Sequence, residues 1–275
     1  MERDHLPDEE EQLAADKKVL ENSKGRPLTL RTLDIGGDKT LSYWKLPSES
    51  NPFLGDRALR LCFSNPDILK TQLRAALRAS VYGNLWIMFP MVGSIEDIKL
   101  ARKYFDNAKE ELKRDGYAYD NEVKFGIMIE IPSIAMISDL AAELVDFASI
   151  GTNDLCQYMC AADRMNPAAS DYYQPFSPGV LRILDYTIKA FHKAGKPISV
   201  CGELAGDTRG ALLLAGMGVQ KLSMSESKIA QIKACISLTI WIVQWWKRQY
   251  FQPTQQGAEA AVAEKLEYIK SWRNK

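Results

Sequence analysis

Residues 124–155 read KFGIMIEIPSIAMISDLAAELVDFASIGTNDL. An apolar run, Lys124–Ile131, carries one acid, Glu130, near its end. Helical spacing follows over Ile134–Glu143. A second apolar run, Phe147–Ile150, then gives way to Gly151 and the polar triplet Thr152-Asn153-Asp154. Neither run alternates strictly between apolar and polar, which is the mark of strands covered on both faces. Strand, helix and strand in this order predict parallel strands joined by helices, an α/β fold.

Working outward, four more segments read as buried strands: Leu28–Ile35, Leu85–Met91, Pro197–Cys201 and Lys221–Met224. Helical patterns fill the spaces between them at Pro66–Ser80, Ser94–Arg114, Pro178–Ala194 and Thr208–Gly216. Ser94 with Asp97 forms a capping-box pattern, and Pro66 and Pro178 suit first turns. Gly83, Gly116 and Gly195 stand where helices or turns close. Six strands fit either a doubly wound sheet or part of an eight-stranded barrel, and periodicity alone does not choose. Residues 1–235 read as one barrel-type domain. Residues 236–275 read as its helical tail, carrying Trp241, Trp245, Trp246 and Trp272.

The bulk numbers exclude several classes. Thirty-five basic residues balance 35 acidic ones in 275. That balance gives no reason to expect nucleic acid or an anionic membrane as partner. No apolar run spans a bilayer, and the charged N-terminus has no signal core. Five cysteines, an odd number in a long chain, suit a reducing compartment, so the expected location is the cytoplasm. Cys156 and Cys160 are four apart, but His5 and His192 are the only histidines and no CxxC occurs, so zinc is not expected.

Unusual polar residues gather where strands end: Arg31 and Asp34, Glu130, Asn153 and Asp154, then Cys201 and Glu203. In parallel α/β folds that rim is the active-site face. Glu130 reads as a buried carboxylate accepting hydrogen bonds or as a metal ligand. Asp154 reads as a helix N-cap or as a second ligand. Two carboxylates and an amide suit Mg²⁺, which takes few protein oxygens and fills its octahedron with water and substrate. Arg31, Arg57 and Arg164 lie near glycine-rich or strand-end turns and are candidate anion clamps. Arg60, Arg74 and Arg78 read as ordinary helix-face charges. Cys201 reads as a small buried residue or as a proton donor beside the charged rim.

The segments TLDIGGDK (32–39), NPFLGDRALR (51–60), LWIMFPMV (85–92), GIMIEIP (126–132), SIGTNDLCQY (149–158), AADRMN (161–166), YYQPFSPGVL (172–181) and VCGELAGD (200–207) occur in that order. In order and spacing they resemble the phosphoenolpyruvate–protein phosphotransferases, Enzyme I of the bacterial sugar phosphotransferase system, from about Met1 to Ile232. GTNDL and the CGE loop also occur in pyruvate phosphate dikinase and phosphoenolpyruvate synthase. TLDIGGDK, NPFLG and CGELAGD are more particular to Enzyme I and its nitrogen-related paralogue.

The resemblance implies a (β/α)8 barrel of the phosphoenolpyruvate/pyruvate-binding type whose first two strands have no counterpart in this chain. It implies Mg²⁺ on Glu130 and Asp154, and substrate phosphate and carboxylate on Arg31, Arg57, Asn153, Asp154 and Arg164. Cys201 would protonate the enolate on the way to pyruvate. In the family the phosphoryl group passes to a histidine on a separate domain, then to the carrier HPr, and the barrel dimerises. The phosphohistidine domain has no match here, so the expected function is phosphoenolpyruvate binding without full transfer by this chain alone. A non-catalytic sensing or dimerisation module, a dikinase or synthase barrel, and a Mg²⁺-dependent lyase of the citrate-lyase type are the alternatives.

Overall fold

Hydrophobic strands alternate with helices whose first turns are built into the sequence, in a computed structural model that describes residues 5–37, 39, 44 and 46–250, the last ten by backbone alone. Residues 251–275, with Trp272, and the side chains of Trp241, Trp245 and Trp246 lie outside the described residues. The chain divides into two compact units, Met1–Ala148 and Ser149–Lys275.

The first unit runs α1 (Glu9–Asn22), β1 (Leu28–Arg31), α2 (Leu59–Ser64), α3 (Pro66–Ala79), β2 (Leu85–Phe89), α4 (Ile95–Arg114), β3 (Lys124–Ile129), α5 (Pro132–Met136) and α6 (Ser138–Leu144). β1, β2 and β3 pair in parallel, with Leu28 opposite Leu85 and Trp86 opposite Lys124. β4 (Phe147–Gly151) crosses the division between the units. Its approach is fixed at Phe125, whose N–H donates to Asp146 Oδ2 at 2.9 Å and whose carbonyl accepts from Asp146 N at 2.8 Å.

The rings of Phe89, Phe105 and Phe125 form the core between sheet and helix, with centroids 5.0 and 5.5 Å from Phe125. The expected capping box opens α4, where Ser94 Oγ accepts from Asp97 N at 3.1 Å and Asp97 Oδ2 accepts from Ser94 N at 3.0 Å. Pro66 holds the first turn of α3.

The second unit continues with α7 (Thr152–Cys160), α8 (Pro178–Lys193), β5 (Ile198–Cys201), α9 (Glu203–Gly206), α10 (Thr208–Gly216), β6 (Lys221–Ser223) and α11 (Glu226–Tyr250). β5 and β6 pair in parallel, Val200 opposite Leu222. Pro178 sits in the first turn of α8, whose buried face is Val180, Ile183, Leu184, Ile188 and Phe191. Asp207 caps α10 through the amides of Arg209 and Gly210. The architecture is therefore α/β with parallel strands.

Three expectations need correction. The helix expected over 134–143 is two, because Ile137 leaves helical geometry (φ −119, ψ 33) while the Ser138 hydroxyl donates to Ala135 O at 2.6 Å. The strands at 28–35, 85–91 and 124–131 stop at Arg31, Phe89 and Ile129, since the residues beyond stay buried while the backbone turns off the ladder. Arg74 and Arg78 are not ordinary helix-face charges, being largely buried in an ion network. Arg74 binds Glu9 (2.7 Å) and Asp115 (2.9 Å), and Arg78 binds Glu9 (2.7 Å) and Glu10 (2.6 Å), tying α1 to α3 and α4. Arg60 donates to the carbonyls of Leu54 and Gly55, closing the loop ahead of α2.

Gly126 has no room for a side chain, because an added Cβ would stand 2.4 Å from the buried ring of Phe147. That ring in turn packs on Trp86, centroids 4.8 Å apart. Gly126→Val is expected to cost about 1–3 kcal/mol, the usual penalty of overpacking. A urea midpoint equal to wild type would show that Phe147 yields freely.

Candidate functional site

Polar groups meet at the rim of each unit. In the first unit the centre is Asp34, three residues past β1. Arg31 Nη1 stands 3.2 Å and Arg57 Nη2 3.0 Å from its carboxylate, and Lys39 Nζ bonds its second oxygen. Among the described residues, this one acid faces three cations. Burial pushes the Asp34 carboxyl up, but the Lys39 bond and the charges of Arg57, Arg31 and Lys39 outweigh it and hold it below the usual range.

The loops that deliver these cations leave little slack. Gly36 has φ +96, and a Cβ there would lie 2.6 Å from Arg57 Cβ. Gly37 (φ +66) faces the ring of Phe53. Ala58 takes φ +50 while its N–H donates to Ile35 O at 2.9 Å, so the NPFLGDR loop is clamped onto the IGG turn at some backbone cost. Arg57 is 0% exposed, whereas the Arg31 and Lys39 side chains are each 39% exposed. Arg57 therefore braces the site, and Arg31 and Lys39 face outward. Lys39 completes a cluster of which the sequence pointed to Arg31, Asp34 and Arg57. The signal was available: TLDIGGDK places an acid and a lysine on either side of two glycines.

Glu130 follows β3 and is buried. Its Oε1 accepts from Met91 N at 2.7 Å, holding the turn after β2 in which Met91 has φ +53. This is the hydrogen-bonded buried carboxylate expected of Glu130, and its oxygens are hard donors of the kind Mg²⁺ takes.

In the second unit α7 is the scaffold. Gly151 is its N-cap and no side chain caps it, so the reading of Asp154 as an N-cap is overturned. Asp154 lies in the first turn, buried, with Oδ1 3.8 Å from Arg164 Nη2. The Arg164 main chain is fixed by Gln157, whose Oε1 accepts Arg164 N at 3.0 Å. Thr152 Oγ1 donates to Cys201 O at 2.8 Å, and Asn153 Oδ1 accepts Glu203 N at 2.9 Å.

Gly202, at φ +100, fits this crossing because a Cβ would lie 2.5 Å from Thr152 Oγ1 and 2.7 Å from Asn153 Oδ1. Cys201 ends β5, and its thiol donates to Ile150 O at 3.4 Å. A cavity of about 850 Å³ opens beside them, lined by Asn153, Cys201, Gly202, Glu203, Arg209 and Lys228 among others. The second unit thus places Asn153 and Asp154 in the first turn of α7, Arg164 in the loop after it and Cys201 at the end of β5. Among the described residues no group of three or more His, Cys, Asp and Glu converges on one point. Nor is any described helix long and apolar enough to cross a membrane.

Residues 1–239 match the family described as PEP-utilising enzyme, PEP-binding domain. The chain belongs to that family. Within it, the phosphoenolpyruvate-protein phosphotransferase of Priestia megaterium is 50% identical over 236 residues, 86% of this chain and 41% of that protein. Those of Listeria monocytogenes and Bacillus subtilis are 51% identical over 236 and 237 residues, again 86% of this chain. The chain spans about two fifths of the length of these relatives. A solved citrate lyase from Burkholderia xenovorans aligns with TM-score 0.48 at 18% identity, covering 74% of this chain and 68% of that one. A Haloferax volcanii malate synthase aligns at 0.46 and 15%, covering 63% and 48%. Likenesses of that size fix no strand count.

The Asp34 cluster has a pH signature. A carboxyl held low in the folded state stabilises it above its unfolded value, near 3.8, and that gain is lost as pH falls through the folded value. Asp34→Asn is expected to cost about 3–5 kcal/mol at pH 7 by breaking a buried pair. The gap to wild type should narrow in urea titrations as pH is lowered below 3.8, and a gap independent of pH would contradict the assignment.

Proposed function

We propose that this chain is the phosphoenolpyruvate-binding part of a phosphoenolpyruvate–protein phosphotransferase. The observation that carries the reading is 50% identity to a protein of that name over 86% of the chain, together with the family match over residues 1–239. On this reading the strands belong to a (β/α)8 barrel of the phosphoenolpyruvate/pyruvate-binding type.

Phosphoenolpyruvate is a trianion near neutrality, and its recognition needs cations arranged around fixed geometry. Arg31 and Lys39 offer outward charges at the first rim, braced by Arg57 behind Asp34. Arg164, steadied by Gln157, and the Asn153 amide serve the phosphate and carboxylate from α7. Glu130 and Asp154 supply the hard oxygens that Mg²⁺ takes, and both are buried carboxylates, so the donor set fits the ion. Bound there, Mg²⁺ would offset charge on the phosphate oxygens and on the departing enolate.

Cys201 holds a proton on Sγ at the strand end. As the phosphoryl group departs for a histidine on another domain, and then to HPr, the enolate carbon takes that proton. The S–H bond breaks, a C–H bond forms, and pyruvate leaves a thiolate behind. The enzyme so assembled is proposed to work in the cytoplasm as a homodimer. All five cysteines are free thiols, as a reducing compartment favours.

Calorimetric titration with phosphoenolpyruvate should show heat that depends on Mg²⁺. Asp154→Ala and Arg164→Ala should each weaken binding by about tenfold or more, roughly 1.4 kcal/mol. Unchanged affinity in both variants would remove α7 from the site. In deuterated water, exchange of the pyruvate methyl protons should slow by about 10²–10⁴-fold in Cys201→Ala. Binding without any exchange in wild type would instead mark a non-catalytic binding module.

A further inference from the structure

Two thiols lie side by side on the helix that carries the rim residues. Cys156 and Cys160 are one turn apart on α7, with Sγ atoms 3.9 Å from each other. Cys156 is buried and Cys160 is partly exposed. Cys160 is the last residue of α7, and Ala161 after it is left-handed (φ +50).

We propose that Cys156 and Cys160 form a reversible disulfide under peroxide, and that its closure loosens the segment bearing Arg164. A disulfide needs sulfurs about 2.05 Å apart and Cβ atoms about 3.8 Å apart. Neighbours one turn apart on a helix hold their Cβ atoms at about 5–6 Å. The turn must therefore deform, and it is a turn that can. It is the last turn of the helix, closed by Ala161 N to Tyr158 O at 3.4 Å and to Gln157 O, and by Ala162 N to Gln157 O at 3.1 Å. Terminal helical turns open at low cost.

The chemistry balances with one peroxide. The Cys160 sulfur attacks a peroxide oxygen, the O–O bond breaks, and one water leaves behind a sulfenic acid. The Cys156 sulfur then attacks Cys160 Sγ, the S–O bond breaks, and a second water leaves. The two thiols lose two electrons to the peroxide, and their protons end in the waters.

Closure acts on the rim through groups already in contact with this turn. Gln157, between the two cysteines, holds the Arg164 amide at 3.0 Å. Cys160 Sγ faces Gln174 O at 4.0 Å, and Tyr173 next to it donates to Asn153 O at 3.4 Å. Pulling Cys160 toward Cys156 draws on residues 161–174 from both ends.

The test uses the whole chain and does not depend on phosphoenolpyruvate. Trypsin releases Cys156 and Cys160 on one fragment, residues 125–164, because no lysine or arginine lies between Lys124 and Arg164. After brief hydrogen peroxide this fragment should be two hydrogens lighter and resist alkylation, and dithiothreitol should reverse both. Cys160→Ser, and separately Cys156→Ala, should abolish the lighter species. Hydrogen exchange in residues 161–174 should quicken at least several-fold in the oxidised chain and recover on reduction. The inference is overturned if both thiols remain alkylatable, if Cys160 passes to sulfinic acid while Cys156 stays free, or if exchange in 161–174 is unchanged by closure.

Discussion

A single carboxylate organises the first rim. Without the Asp34 charge, Arg31, Lys39 and Arg57 would be three like charges within a few ångströms, one of them fully buried. A buried guanidinium is tolerable only when paired and hydrogen-bonded. Asp34 therefore does more than attract: it permits the NPFLGDR loop to fold against the IGG turn. The positive-φ backbone at Gly36, Gly37 and Ala58 follows from that closeness. Asp34 thus gathers three cations at one place in a chain whose formal charge is zero.

α7 does for the second unit what Asp34 does for the first, by hydrogen bonds more than by charge. Within nine residues it offers Thr152 to the β5 backbone, Asn153 to the Glu203 amide, Asp154 to Arg164 and Gln157 to the Arg164 main chain. Each bond fixes an element that arrives from elsewhere in the sequence. The helix is short and isolated helices of this length are not stable in water. It persists because its contacts are tertiary, which also explains why a change at its last turn would be felt at the rim.

Where the sequence was legible, the reason is periodicity. The apolar runs at 28, 85, 124, 147, 198 and 221 begin within a residue or so of β1 to β6, because burial on both faces writes itself as an unbroken apolar run. Their ends were less legible. Asp34, Met91 and Glu130 stay buried after the strands end, so hydropathy runs on past the ladder. α1 was missed although Asp8 and Glu11 form a capping box, because its acidic opening and basic middle read as a solvated terminus. What makes it part of the fold is Arg74 and Arg78, more than sixty residues away, and no local window contains both halves of that ion network. Asp154 was equally open, since an Asx residue after a strand caps as often as it binds. The folded chain puts Gly151 in the cap position and Asp154 in the first turn, facing Arg164.

The environment of Cys201 bears on what its thiol can do. Its hydrogen bond to Ile150 O uses the sulfur's proton, so only the neutral thiol makes it. An acceptor that stabilises the protonated form disfavours the thiolate. A nucleophilic cysteine would want the opposite, donors or cations aimed at sulfur. Arg209 and Lys228 line the same cavity, yet Arg209 is engaged with Asp207 at 3.6 Å and with the Phe176 ring at 4.6 Å. The Ile150 carbonyl thus orients the Cys201 thiol at the cavity wall, while Asp207 and Phe176 orient Arg209.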